Sequence, residues 1–244
     1  MATDGETRSI VLRGHEIVFT LRRSRRRSLG MMIDRRGLTV SIPLRVSLRE
    51  TEVFLRERTD WILEKLAEWA QRAEPQPVAI NDGMLVPVLG EACRVHWLAG
   101  ANRVHWVEGM DSRALHLHLR RQEDAHALLL RGLQNFALAY FCGRVDEYGF
   151  LLKRIAPEVV LPAVRLSNAR TRWGSCSRLS GIRLNWRLIH LPRPQIDYVV
   201  AHEVAHLLEM NHSPRFWRVV GQLQPDYEIA KAALRHANKI IPVL

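Results

Sequence analysis

His202-Glu203-Val204-Ala205-His206-Leu207-Leu208-Glu209-Met210-Asn211-His212 reads H-E-x-x-H-x-x-x-x-x-H. On a helix, residues four apart lie on one face, one turn apart. His202 and His206 can therefore grip one small cation between them. Catalytic zinc takes three protein ligands and keeps one position for water. His202, His206 and His212 can supply the three, and Glu203 beside them can take a proton from bound water. The stretch encodes a hydrolytic centre with one zinc per chain, although three imidazoles also accept nickel, cobalt or copper.

The flanks strengthen the reading. Ile196, Val199, Val200, Ala201, Val204, Ala205, Leu207 and Leu208 are apolar, so the helix is expected to be buried. A buried helix seldom carries two histidines and a glutamate without partners for them. The bland alternative is a pair of satisfied core histidines. Pro194 suits a first helical turn, and Asp197 near the start faces the positive end of the dipole. Asn211 tolerates the left-handed conformation that ends helices, and a break there would turn His212 back toward the metal. Ser213-Pro214 then reads as N-cap and N1 of a further helix, to about Leu223, with a last helix from about Asp226 to Asn238.

Upstream, residues 8–42 read as a small antiparallel sheet: Ile10–Leu12, Ile17–Leu21, Met31–Ile33 and Leu38–Ile42, with Asp34-Arg35-Arg36-Gly37 as a hairpin turn. The run Arg22–Arg27 fits either a phosphate site or a solvated edge. Ser47-Leu48-Arg49-Glu50 is a capping box opening a helix to about Ala73, and Glu74-Pro75-Gln76-Pro77 reads as a connector. Strands return over 80–119. There His116 and His118 share a strand face, as ligands or as exposed positions of a half-buried strand. A long helix is expected over 122–148 with Gly149 as its stop. Val164–Ser167 and Ile182–Ile189 read as strands joined by the segment 170–177. The expected organisation is a β-rich region plus long helix over 1–79, a strand region over 80–120 and a catalytic region over 121–244.

Composition bounds the rest. The formal net charge is +11, and lysine stands only at 65, 153, 231 and 239, so the charge is nearly all arginine. Two readings fit: a polyanionic partner, or an arginine-rich ordinary surface. No apolar run approaches the ~18 residues of a membrane span, and no secretory leader is evident, so a cytoplasmic protein with no membrane partner is expected. Cys93, Cys142 and Cys176 are odd in number and far apart, which fits reduced thiols. Oligomeric state is not encoded in any pattern found.

Several motifs occur in one order: Arg170-Thr171-Arg172-Trp173-Gly174-Ser175-Cys176, Leu184-Asn185-Trp186-Arg187-Leu188, Ile196-Asp197-Tyr198-Val199-Val200, the H-E-x-x-H, Asn211-His212-Ser213 with Phe216-Trp217, and Pro225-Asp226-Tyr227. This succession resembles the YgjP-like metallopeptidase family of the zincins, related more distantly to SprT-like and WLM proteases. The resemblance implies an α+β fold with a zincin-like core of small sheet plus active-site helix, preceded by a smaller β-rich region. It implies zinc on His202, His206 and His212, with Glu203 as general base. The final spacing equals that of metzincins, but Glu209 stands where they have glycine, and no Met-turn follows.

The chemistry expected is metal-assisted hydrolysis. Tyr198, one turn before His202, and Arg172 or Ser175 are candidate oxyanion donors. The alternative for Tyr198 is a core phenol. Glu209 is a candidate acceptor orienting a ligand imidazole. Cys176 reads as a small apolar residue, and Phe216 and Trp217 as core packing. A peptide or protein substrate lying along Ile182–Ile189 is the first reading. A second is a nucleotide or phosphate-ester hydrolase, with Arg183 and Arg187 on one strand face clamping phosphates. A third is a protease recruited to nucleic acid by its basic surface.

Overall fold

A computed structural model describes residues 5–26, 28–34, 36–70, 78–109, 113–169, 171–235, 237 and 241–244. The chain divides into two compact units, Met1–Pro75 and Gln76–Leu244.

In the first unit, β1 (Glu6–Leu12), β2 (His15–Ser24), β3 (Gly30–Asp34) and β4 (Gly37–Pro43) form a sheet of order β1-β2-β4-β3. The sheet is mixed, where an all-antiparallel one was expected: β2 and β4 run parallel with Phe19 opposite Leu38 and Leu21 opposite Val40. That register keeps all four apolar side chains on the buried face. β3 and β4 pair antiparallel with Asp34 opposite Gly37, and Gly37 has φ +90°. The capping box at Ser47 also forms, but the helix it opens stops early. It is α1 (Leu48–Arg56), followed by a separate α2 (Thr59–Ala70). At the break, Thr59 Oγ1 donates to the Arg56 carbonyl at 2.8 Å, a side-chain bond that competes with helix continuation. The break lets Leu55 and Ile62 both be fully buried. The expected end at Ala73 and the connector 74–77 lie outside the described residues.

The second unit has one hydrophobic core running from Met84 to Ala237. Its first sheet, of order β5-β6-β8-β7, comprises β5 (Leu85–Val88), β6 (Glu91–Ala99), β7 (Arg103–Glu108) and β8 (Arg113–Leu119). The helix α3 (Ala125–Lys153) follows and runs through Gly149, which was expected to end it. A Cβ at 149 would stand 2.3 Å from Leu161 Cδ1, so the glycine serves close approach, and the helix continues.

The second sheet, of order β10-β11-β9, has β9 (Val164–Ser167), β10 (Gly174–Ser177) and β11 (Gly181–Asn185). The segment read as a joining loop thus contains a strand, and the strand expected over 182–189 ends at Asn185. Asn185 Oδ1 accepts from the Arg187 backbone N–H at 3.1 Å, turning the chain into a 3-10 helix, Trp186–His190. Because β11 is paired on both sides, it cannot be a substrate shelf; β10 and β9 are the edge strands, and β10 is the one that packs against α4. Three helices close the unit: α4 (Arg193–Ala205), α5 (Pro214–Leu223) and α6 (Tyr227–Leu234). α4 packs against α3, α5, α6, β10 and β11. Asp197 receives the Arg144 Nε–H at 2.7 Å, joining α4 to α3. No helix among the described residues is long and apolar enough to cross a membrane.

His190 is fully buried, with Nδ1–H donating to the Pro87 carbonyl at 2.7 Å. Burial pushes its pKa down to about 4. The fold therefore resists a proton that the unfolded chain takes up near pH 6.5. Stability from the neutral ring is complete above pH 6.5 and is lost as pH falls toward 4. Urea unfolding of His190→Gln should show a fall in stability between pH 7 and pH 5 that is about 2 kcal/mol smaller than in wild type. Equal falls would mean that the ring already carries its proton in the fold.

Candidate metal centre

α4 is apolar on nearly every side, with Ile196, Val199, Val200, Ala201, Val204 and Ala205 all buried. It ends sooner than expected: the last helical residue is Ala205, with His206 as C-cap. Asn211 is not left-handed; among the described residues only Arg13 and Leu89 are non-glycine positions with positive φ. The chain instead tightens into shorter turns, Leu207 N–H to the Val204 carbonyl and Leu208 N–H to the Ala205 carbonyl, both at 3.0 Å. The segment after α4 returns His212 to the other two histidines. Ser213 then caps α5, its Oγ accepting from the Phe216 backbone N–H at 3.3 Å.

The three rings converge. Their centroids are 4.9 Å apart in every pairing. His212 Nε2 and His202 Nε2 are 3.1 Å apart, and ligand atoms of the three residues lie within 4.8 Å of one another. Tetrahedral zinc with Zn–N bonds of about 2.0–2.1 Å separates its ligand nitrogens by about 3.3 Å, so the donor set fits such an ion. His206 Nδ1 lies 2.9 Å from the Glu209 carbonyl oxygen. A carbonyl only accepts, so that nitrogen carries the hydrogen, and the other presents its lone pair. Glu209 thus meets the site through its main chain, while its carboxylate pairs with Arg215 at 2.9 Å. Burial, then the neighbouring histidines and Lys231, hold His202 down to about 4. Burial also lowers His206. Neutral imidazole is the form that ligates.

Glu203 is buried at 4% exposure, and its Oε2 has no hydrogen-bond partner. Burial, opposed by the Arg172 guanidinium, pushes its pKa up to about 8. Gly174 on β10 lies directly against it: a Cβ there would stand 2.4 Å from Glu203 Oε1. Any other residue at 174 would displace the carboxylate.

Tyr198 is buried at 7% exposure, 6.0 Å ring to ring from His202. Burial first, then nearby acidic charge, pushes its phenol up to about 12, so it stays protonated. Arg172 is exposed and acts on Glu203 through its charge. Ser175 is half-buried on β10, opposite Arg183 of β11. Arg183 and Arg187 do not share a strand face, because the alternation stops at Asn185. Arg187 instead stacks 4.6 Å over the Trp186 ring and donates to Asn168 Oδ1. Cys176 has its pKa pushed up to about 11 by burial and by Glu203, leaving a neutral thiol. His116 lies between His96 and His105 on adjacent strands, yet the triad is the one cluster of metal-ligating geometry among the described residues.

Phe216 is the contributor that reading the sequence misses. It is fully buried and packs against His202, His206 and His212 at 4.9, 4.6 and 4.8 Å between ring centroids. The available signal was its place one turn after His212, three residues past the Ser213 cap. Trp217 continues the wall, stacking on His212 at 5.9 Å and on Tyr227 at 5.6 Å.

Three converging imidazoles beside a buried carboxylate are a donor set that could hold a metal ion. The chain belongs to the YgjP-like family, whose metallopeptidase-domain model matches residues 27–237. It is also similar to the crystal structure of the metallopeptidase zymogen of Pyrococcus abyssi abylysin, at 22% identity and a TM-score of 0.34, over 41% of this chain and 99% of that one. A search of curated proteins finds no match.

Removing the backing ring should loosen the site before it breaks the fold. Phe216→Leu is expected to keep its circular dichroism spectrum while zinc affinity falls tenfold or more, read by competition with a chromogenic chelator. Unchanged affinity would show that Phe216 is packing alone.

Proposed function

We propose that the chain is a zinc peptidase in which His202, His206 and His212 hold one ion and Glu203 carries the proton. The observation behind this is the placement of Glu203: a buried carboxylate with an unpartnered oxygen, beside three converging ring nitrogens and against an edge strand. When bound, zinc supplies Lewis acidity, lowering the pKa of a coordinated water toward about 7 and polarising a carbonyl. Glu203 accepts the proton of the attacking water and delivers it to the departing amine. Its raised pKa, drawn back toward neutrality by a neighbouring dication, suits a base that must both take and return a proton.

β10 serves as the shelf. No strand among the described residues pairs with its outer edge, so its main-chain groups are available to an extended peptide. Gly174 brings that edge against Glu203, which sets the scissile bond within reach of the base. Arg172 and Tyr198 are the donors available for negative charge developing on the carbonyl oxygen, the one as a fixed cation and the other as a phenol that stays protonated. Nickel or cobalt could occupy the same nitrogens.

Casein or a quenched peptide library should be cleaved by the zinc-loaded protein. Glu203→Gln should lower the rate about 10²–10⁴-fold while one zinc per chain remains by mass spectrometry. Full activity in that variant, or no cleavage by wild type with zinc bound, would overturn the reading. Gly174→Ala should lower kcat by about 10²-fold at unchanged zinc content, because the added methyl moves the base and leaves the ligands in place.

A further inference from the structure

A cleft of about 480 Å³ opens beside the metal centre, with His206 itself in the wall. That volume is in the range of small-ligand pockets. One side is the segment after α4, including Leu208 and Met210; the other is the loop after α3, including Val159 and Val160. Its remaining edge is β10, through Cys176. Alternate residues of a strand face one way, so Cys176 looks toward the same side as Gly174, the residue that meets Glu203. Two residues of extended chain span about 7 Å. The cleft is therefore one or two substrate residues away from the base along a peptide paired on β10. The lining also holds apolar groups open to solvent: Val160 is 83% exposed and Met210 43%. The lining is not wholly apolar, since Glu158, Arg178 and Ser177 also border the cleft, while the Cys176 thiol stays neutral.

We propose that this cleft is a specificity subsite that takes a large apolar side chain, of leucine or phenylalanine type, from a substrate residue within two positions of the scissile bond. The inference rests on the peptidase reading above. The occupant follows from continuity: the cleft shares His206 with the metal site and Cys176 with the shelf. An extended peptide on β10 must point alternate side chains toward this face. A pocket whose lining is mostly apolar discriminates by the apolar surface it removes from water, commonly by tenfold or more for a leucine over an alanine.

The test is cleavage-site profiling of a random peptide library by mass spectrometry, followed by kcat/KM on matched leucine and alanine peptides. Wild type should enrich leucine, phenylalanine or methionine at one position within two residues of the cut. Val160→Glu and Met210→Glu change exposed side chains outside the buried core. Each should lower the leucine-to-alanine ratio of kcat/KM about tenfold, chiefly through KM, with zinc content retained. A cleaved library with no apolar preference near the cut, or an unchanged ratio in both variants, overturns the subsite while leaving the peptidase reading intact. A library left uncut by the zinc-loaded wild type removes both.

Discussion

Three imidazoles and a carboxylate converge where an otherwise apolar helix ends, with His206 and Glu203 withdrawn from water. Burial disfavours the charged forms of His202, His206 and Glu203, so His202 is held neutral and Glu203 tends to keep a proton. The rings crowd to 4.9 Å between centroids, which gathers their nitrogens into a set that could hold one cation. The rest of the second unit can be understood as what holds this arrangement in place.

The supports come from four directions. The Glu209 carbonyl fixes the outer nitrogen of His206, and the early end of α4 sends the chain back with His212. Phe216, seated by the Ser213 cap, is one apolar surface behind all three rings. On the other side, β10 lies so close that only glycine fits opposite Glu203. Arg144 and Asp197 tie α4 to the long helix α3, which carries the first sheet's core as well. A single packed unit thus positions the three histidines, Glu203 and β10 on rigid elements.

Features with a local cause were legible in the sequence. The capping boxes and N-caps at Ser47 and Ser213 need only a residue and its neighbours a turn away, and both form. The i, i+4 histidine pair needs only helical geometry. What was not legible depends on partners distant in the chain. Gly149 resembles a helix stop until Leu161 is seen against it. Arg183 and Arg187 look like one strand face until Asn185 turns the backbone into a 3-10 helix. The break between α1 and α2 has neither glycine nor proline to announce it, being set by the burial of Leu55 and Ile62. Phe216 was assigned to the core, and it is in the core; its contact with all three histidines exists only after the chain has turned back at His212.

X-ray absorption at the zinc edge on the loaded protein examines the centre most directly. Three imidazole nitrogens at about 2.0–2.1 Å, with one further oxygen or nitrogen and no sulfur, are expected. A sulfur scatterer at about 2.3 Å from Cys176, or a shell with fewer than three imidazoles, would contradict the assignment of His202, His206 and His212 as the metal site.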